Sequence, residues 1–372
     1  MGPPQTFHPF TGDPLVACRG VSLADRLAAR TLELVDVSSE SRDEAALAAH
    51  VLGVLSAAGV DARDAGDTCV LAGATQRGER PLVLLAGHFD TVPAQSNRPG
   101  RRDADAVHGL GAADMKGALA VMIELALARA TTTIDLGYVF FGREELAVTE
   151  SALAGLLERE AALRAADLVV VMEPTANALH AGCLGNINAT WTFHGRSGHS
   201  ARPWLADNAI HKAAAGIHAL AQVPPDAREF DGLRFTEVVS VTRIAGGIAD
   251  NVVPAEAVAH VNYRYAPDRS AGAAEEWLRE LCEPHGTLAI DGNAPSAPVA
   301  IANPMAQRLI GAGDLAVEPK QAWTPVAEFA AAGVDAVNFG PGDPSQAHTR
   351  EEHVRIDALV RCYETIATFA CA

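Results

Sequence analysis

Five short polar signals interrupt the apolar runs of this chain, and each holds residues that ligate metals. His88 and Asp90 stand two apart in A-G-H-F-D-T-V-P, after the run P-L-V-L-L. Asp114 lies in G-A-A-D-M-K-G. Glu144 and Glu145 follow an apolar run in F-F-G-R-E-E. Glu173 follows another in V-V-M-E-P, and His348 ends F-G-P-G-D-P-S-Q-A-H. Imidazole and carboxylate are the ligands of zinc and of two-metal hydrolytic sites. A carboxylate can bridge two ions through its two oxygens, and a further acid can shuttle a proton. Asp90 is well placed to orient the His88 ring through its second nitrogen. Singly, each signal is weak. An H-x-D is usually a satisfied strand exit, a Glu pair is usually solvated, and an Asp before a helix is by default an N-cap. Their joint order gives the pattern its weight.

These residues need elements that bring them together. Apolar runs at 82–86, 134–141, 168–172 and 336–339 read as buried parallel strands alternating with helices, such as those at 22–35 and 115–128. Ser41-Arg-Asp-Glu44 has a capping-box pattern and opens another helix. The implied fold is a three-layer α/β sandwich with a mostly parallel sheet. In such a sheet functional groups gather beyond the carboxyl ends of the strands, and four of the five signals fall there. The middle of the chain reads differently. Strand-like 188–194, helical 208–221, strand-like 238–244 and 257–265 around the turn A-G-G-I-A-D, helical 273–282 and strand-like 288–290 follow in order. That is the β-α-β-β-α-β unit of a ferredoxin-like α+β domain. The chain is therefore expected to divide into a discontinuous catalytic domain, 1–185 and 295–372, and an inserted domain, 186–294.

Composition narrows the function class. The chain has 372 residues, 49% of them apolar, enough for about two domains. Lys plus Arg number 29 and Asp plus Glu 46, a net charge of −17, which argues against nucleic acid and against anionic membrane surfaces. No stretch approaches the length of a membrane-spanning helix. The six cysteines, at 18, 69, 183, 282, 362 and 371, form no C-x-x-C pair and read as reduced thiols of a cytoplasmic protein. The Pro- and Gly-containing N-terminus lacks the pattern of a secretory signal and is expected to be a loosely ordered leader.

The motifs G-H-F-D-T-V-P, G-A-A-D-M-K-G, R-E-E, M-E-P-T and Q-A-H resemble, in order, the five metal-site motifs of the M20 family of di-zinc aminoacylases and exopeptidases. The resemblance covers nearly the whole chain. It implies two Zn2+ per chain, with Co2+ as the alternative. One ion would be held by His88 and Glu173, the second by Glu145 and His348, with Asp114 bridging. Asp90 would orient His88, Glu144 would be the general base, and a cis peptide would follow Asp114. It further implies a small-molecule N-acyl amino acid substrate and a homodimer formed through the inserted domain. A-G-C-L-G-N, G-R-S-G-H-S-A-R-P-W-L-A-D-N, G-G-I-A-D-N-V-V-P and V-N-Y-R-Y-A-P-D-R-S look most like the branch of the family that removes succinyl groups from diaminopimelate. In that resemblance His199 reaches the partner subunit's site and helps hold the oxyanion. Asn251, Thr324 and Arg264 contact substrate, Arg264 through a carboxylate.

Three departures bear on the substrate. The chain has W-T-P-V-A-E-F at 323–329 where that branch reads W-T-D-V-A-R-F, so Pro325 and Glu328 replace an acid and a base. Leu184 stands where a polar residue is usual. L-A-V-T-E-S-A-L after Glu145 replaces N-G-L-G. A glutamate beside an anionic substrate would repel it. This opens N-acetylornithine-type deacetylation, or zinc exopeptidase activity, as the alternative expectation.

Overall fold

The computed structural model describes residues 20–372; the expected leader and Cys18 lie outside them. The main sheet has eight strands. In spatial order they are Ala62–Gly66, Cys69–Gly73, Asp135–Phe141, Leu82–His88, Leu168–Val171, Ala336–Asn338, Leu179–Ala181 and Val317–Pro319. The four central strands, Asp135–Phe141 to Ala336–Asn338, run parallel, and antiparallel pairs enter on both sides, so the sheet is mixed. Every residue of Leu82–His88 is buried, as a strand covered on both faces requires. Val83 and Leu85 face one core, with the helices Leu23–Asp36, Gly117–Ala128 and Ile356–Cys371. Leu82, Leu84 and Ala86 face a second, with Ala152–Arg159 and Val326–Ala331. Side-chain alternation along one strand thus builds all three layers.

Residues 185–294 supply a second sheet of five antiparallel strands. Its order is Asp226–Phe230, Leu233–Gly246, Glu256–Tyr265, Gly185–His194 and Thr287–Ala294. The helices Ala209–Leu220 and Ala271–Cys282 cover one face, around Trp191, Phe193, Tyr263 and Leu278. The alternating burial of Gly185–His194 records that one-sided packing. Asp226–Phe230 is a strand the sequence reading lacked, because D-A-R-E-F carries little strand character. Past Val238, the outer side of Leu233–Gly246 has no partner strand among the described residues.

The chain leaves the main sheet at Gly182–Gly185 and re-enters it after Ala294. Cys183 and Ala297 bind each other there, N–H to carbonyl in both directions, at 3.3 and 3.1 Å. The five described cysteines are free. Among the described residues no helix is long and apolar enough to cross a membrane.

One local expectation fails for a reason that concerns the site. The helix after Ser41 starts at Ala45, and Ser41 does not cap it. The Ser41 hydroxyl donates instead to Asp90 Oδ2 at 2.9 Å. Glu44 accepts from the backbone of Arg42 and Arg143.

Candidate metal centre

His88 is the last residue of the Leu82–His88 strand and is 1% exposed. Its Nδ1 lies 3.0 Å from the Asp90 main-chain oxygen. A carbonyl oxygen can only accept, so Nδ1 carries a proton, and Nε2 is the nitrogen turned to the carboxylates. Nε2 points at Asp114 Oδ1, 3.2 Å away, and at Glu173 Oε1, 3.6 Å away. Asp90 thus holds the ring mainly through its backbone, its carboxylate Oδ1 being 3.6 Å off. That carboxylate accepts from the amides of Glu144 and Glu145, at 2.9 and 3.0 Å, and so fixes the next strand exit.

Asp114 is not an N-cap. It sits in the tight turn Ala112–Lys116 before the Gly117–Ala128 helix, and the Asp114–Met115 peptide is cis. Glu352 shapes this turn. Its carboxylate accepts from the amides of Gly111, Ala113 and Asp114 at 2.8, 3.0 and 3.0 Å. Sequence reasoning missed Glu352, although the R-E-E-H run beside His348 holds it. Asp114 Oδ2 lies 3.8 Å from His348 Nε2, and that nitrogen is 2.9 Å from Glu145 Oε1.

The loop leading to His348 has no spare room. A Cβ on Gly340 would come within 2.3 Å of the Met172 oxygen and 2.5 Å of the Glu173 oxygen. One on Gly342 would come within 2.2 Å of the Ala113 oxygen. Only glycine allows such approaches. The Thr175 hydroxyl and the Ala176 and Asn177 amides bond the same loop.

Two groups of potential ligands result, His88–Asp114–Glu173 and Asp114–Glu145–His348, each with its atoms within 4.8 Å of one another. Asp114 belongs to both and turns one oxygen to each. A third group, His88–Glu144–Glu145, places Glu144 beside them. Glu173 Oε1 is buried and has no hydrogen-bond partner, as expected of an oxygen kept for a cation. The electrostatics agree. Burial, then Asp114, pushes Glu173 up to about 7. Burial, then Glu173, holds Glu144 well above the usual carboxylate range. The Glu145 hydrogen bond raises His348 to about 9. The cluster takes up protons because it is short of positive charge, and divalent cations fit it.

The expected substrate residues are placed less uniformly. Arg264 is half-buried, and its Nε donates to Asn262 Oδ1 at 3.0 Å. It has no carboxylate partner among the described residues, so the strand-end salt bridge one would expect by default is not made. Thr324 is buried, and its hydroxyl has no oxygen or nitrogen partner among the described residues. His199 and Asn251 adjoin each other at the tip of the second sheet, where Gly198–His199 pairs with Val252–Val253. His199 Nδ1 accepts from the Ala201 amide. Neither makes a hydrogen bond or ion pair to the metal cluster of its own chain among the described residues. Leu184 is part of the main core rather than a pocket wall. Pro325 precedes the Val326–Ala331 helix, a position suited to proline. Glu328 does not stand as an open charge. It is buried beside Ser151 and Ala154, and burial pushes it up to about 7.

Comparison with known proteins agrees with this arrangement. The model of peptidase family M20/M25/M40 matches residues 84–372. A Mycobacterium tuberculosis protein named as a succinyl-diaminopimelate desuccinylase, DapE, is 38% identical over 343 residues, 91% of this chain and 96% of that protein. The succinyl-diaminopimelate desuccinylase of Corynebacterium glutamicum is 36% identical over 340 residues, 88% and 92% of the two chains. Among solved structures, a tripeptidase from Staphylococcus aureus superposes with a TM-score of 0.77 at 20% identity, covering 93% and 97% of the two chains. That likeness concerns the fold. The chain belongs to peptidase family M20/M25/M40 and is a metal-dependent hydrolase of amide bonds.

Proposed function

We propose that this chain hydrolyses the amide of N-succinyl-LL-2,6-diaminopimelate and releases succinate and LL-diaminopimelate, a step of lysine biosynthesis. The observation that carries this reading is the Arg264 guanidinium, which has no carboxylate partner among the described residues, in a chain 36–38% identical to two proteins named for that reaction. The active unit is a cytoplasmic homodimer, with 186–294 as its dimerisation domain and 1–185 with 295–372 as its catalytic domain. The open edge of Leu233–Gly246 supports this, because such an edge invites a second strand. So do the exposed Ile244 and Ile248 along and beyond it, the latter 87% exposed.

In this reading His88 and Glu173 hold one ion, Glu145 and His348 a second, and Asp114 both. The ions are zinc, with cobalt as the alternative. Such ions supply Lewis acidity, which polarises a carbonyl and acidifies water. Glu144 takes the proton of the attacking water on its carboxylate and returns it to the nitrogen of the leaving amine. Burial raises its pKa, the direction that helps a carboxylate take up a proton as well as release it. Asp90 keeps Glu144 and Glu145 in place by their amides. Arg264 pairs with a substrate carboxylate through its planar fork, and Thr324 and Asn251 add hydrogen bonds. His199, supplied by the partner subunit, donates to the developing oxyanion.

The test is a rate comparison of the zinc-loaded protein on N-succinyl-diaminopimelate, N-acetylornithine and simple dipeptides. The highest kcat/KM should fall on the succinyl compound. A higher value on N-acetylornithine or on a dipeptide would replace this substrate with that one.

A further inference from the structure

A second cation lies close to the metal centre, and the chemistry above leaves it without a task. Lys320 follows the edge strand Val317–Pro319, whose Pro319 pairs with Ala181. It therefore stands at the first crossing into the second sheet. The residue is 7% exposed. Its ammonium makes one hydrogen bond among the described residues, from Nζ to the Pro174 carbonyl at 3.3 Å, just past the ligand-type residue Glu173. No carboxylate among the described residues lies within ion-pair distance of it. An ammonium has three donors, and a buried charge without a partner is costly.

The surroundings point to an anion. The Lys320 charge reaches Asp114, Glu173 and Cys183. Arg264, on the second sheet, is also within electrostatic reach of Cys183. The Cys183 thiol donates to the Thr324 carbonyl at 3.8 Å, and the buried Thr324 hydroxyl has no oxygen or nitrogen partner among the described residues, with only the Cys183 thiol beside it. Lys320, Thr324 and Arg264 thus all lie near Cys183, where the chain crosses from the main sheet to the second, and the two cations each make a single hydrogen bond among the described residues, which leaves donors to spare. Lys320 and Thr324 belong to the main sheet and its loops, Arg264 to the inserted one.

We propose that Lys320 binds a carboxylate of the acyl amino acid substrate, with Thr324 beside it, and sets the preference for anionic substrates. This rests on the proposed amide hydrolysis and deepens it. Two carboxylates qualify: that of the acyl chain and the α-carboxylate next to the scissile nitrogen. A competing role for Lys320 is to balance the charge of the metal ligands without touching substrate.

Lys320→Met and Lys320→Arg separate these roles. Three readouts on the zinc-loaded protein are needed: succinate and diaminopimelate affinity by calorimetry, zinc affinity by chelator competition, and kcat and KM on N-succinyl- and N-acetyl-diaminopimelate. Lys320→Met should weaken one of the two product anions about thirtyfold, the scale of breaking a buried charge pair. Lys320→Arg should recover part of the loss, and zinc affinity should be unchanged. Loss confined to succinate, with KM raised only for the succinyl substrate, assigns the acyl carboxylate. Loss confined to diaminopimelate, with KM raised for both, assigns the α-carboxylate. Weaker zinc binding with unchanged affinity for both anions overturns the proposal. If the wild type leaves N-succinyl-diaminopimelate intact, the proposed function falls on its own. Lys320 is then judged on the best N-acyl amino acid against its α-carboxamide. An equal effect of Lys320→Met on both would overturn it.

Discussion

The strand ends of the main sheet and the tip of the inserted sheet are built on opposite terms. At the strand ends, His88, Asp114, Glu145, Glu173 and His348 converge within one chain, and His88, Asp114 and Glu145 are each fixed by a hydrogen bond between side chain and backbone. At the tip, His199, in a two-residue strand, and Asn251, in the turn beside it, are exposed and make no hydrogen bond or ion pair to that cluster among the described residues. The first region is finished by folding. In the proposed dimer the second would be finished only when the partner subunit meets it. Preorganised groups can do chemistry without further rearrangement, whereas in the proposed dimer the groups on the tip would tie activity to assembly.

This contrast can be broken or sharpened by measurement. The largest effect belongs to the finished region. Glu144→Gln should lower kcat by about 10²- to 10⁴-fold, the usual weight of a general base, while zinc stoichiometry stays unchanged. Activity near wild type would remove Glu144 from the mechanism. His199→Ala should cost roughly 10²-fold, as loss of one oxyanion donor does. Mixing it with Glu144→Gln under subunit exchange should restore about a quarter of wild-type activity, because half the dimers would be mixed and each would hold one intact site. No recovery would mean that His199 acts in its own chain or not at all. Glu352→Ala leaves three amides around Asp114 without an acceptor. Zinc affinity, read by chelator competition, should fall about 10- to 100-fold.

The smallest effect is on stability. Glu328 has its folded pKa raised to about 7 from 4.5. The folded chain therefore binds more protons than the unfolded one between those values, and stability falls as pH rises through that window. Glu328→Gln should remove up to about 2–3 kcal/mol of the fall in unfolding free energy between pH 5 and 7, read as a flatter slope of Tm with pH. An unchanged slope would mean that Glu328 ionises freely.

Much of the finished region could be read from the sequence because four of the five signals follow apolar strand runs, while Asp114 precedes an apolar helix. The runs at 82–86 and 134–141 emerged as the strands Leu82–His88 and Asp135–Phe141 with small shifts. What stayed hidden acts through the backbone or in isolation. Glu352 works on amides, which leave no side-chain pattern. Ser41 looked like a helix cap until Asp90 proved the better acceptor. Lys320 is a single lysine, a residue type that is exposed in most settings, and only its burial marks it out. Glu328 misled in the opposite direction. A changed charge near a substrate-lining motif suggested repulsion, but the side chain is buried beside Ser151 and Ala154.

The contacts around Gly340 and Gly342 have a mechanical consequence. The Glu173 exit, the Asp114 turn and the loop to His348 are in contact with no clearance, so none can shift without moving the others. Any motion of the inserted sheet toward the main one must leave this block intact. Such a motion would have to pass through the two chain crossings, which the Cys183–Ala297 pair of bonds ties together as one pivot. Arg264 would swing about that pivot, and Lys320 stands at its foot on the immobile side. The jaw of this molecule would then close a moving guanidinium against a fixed ammonium, so gating and selection would share one joint.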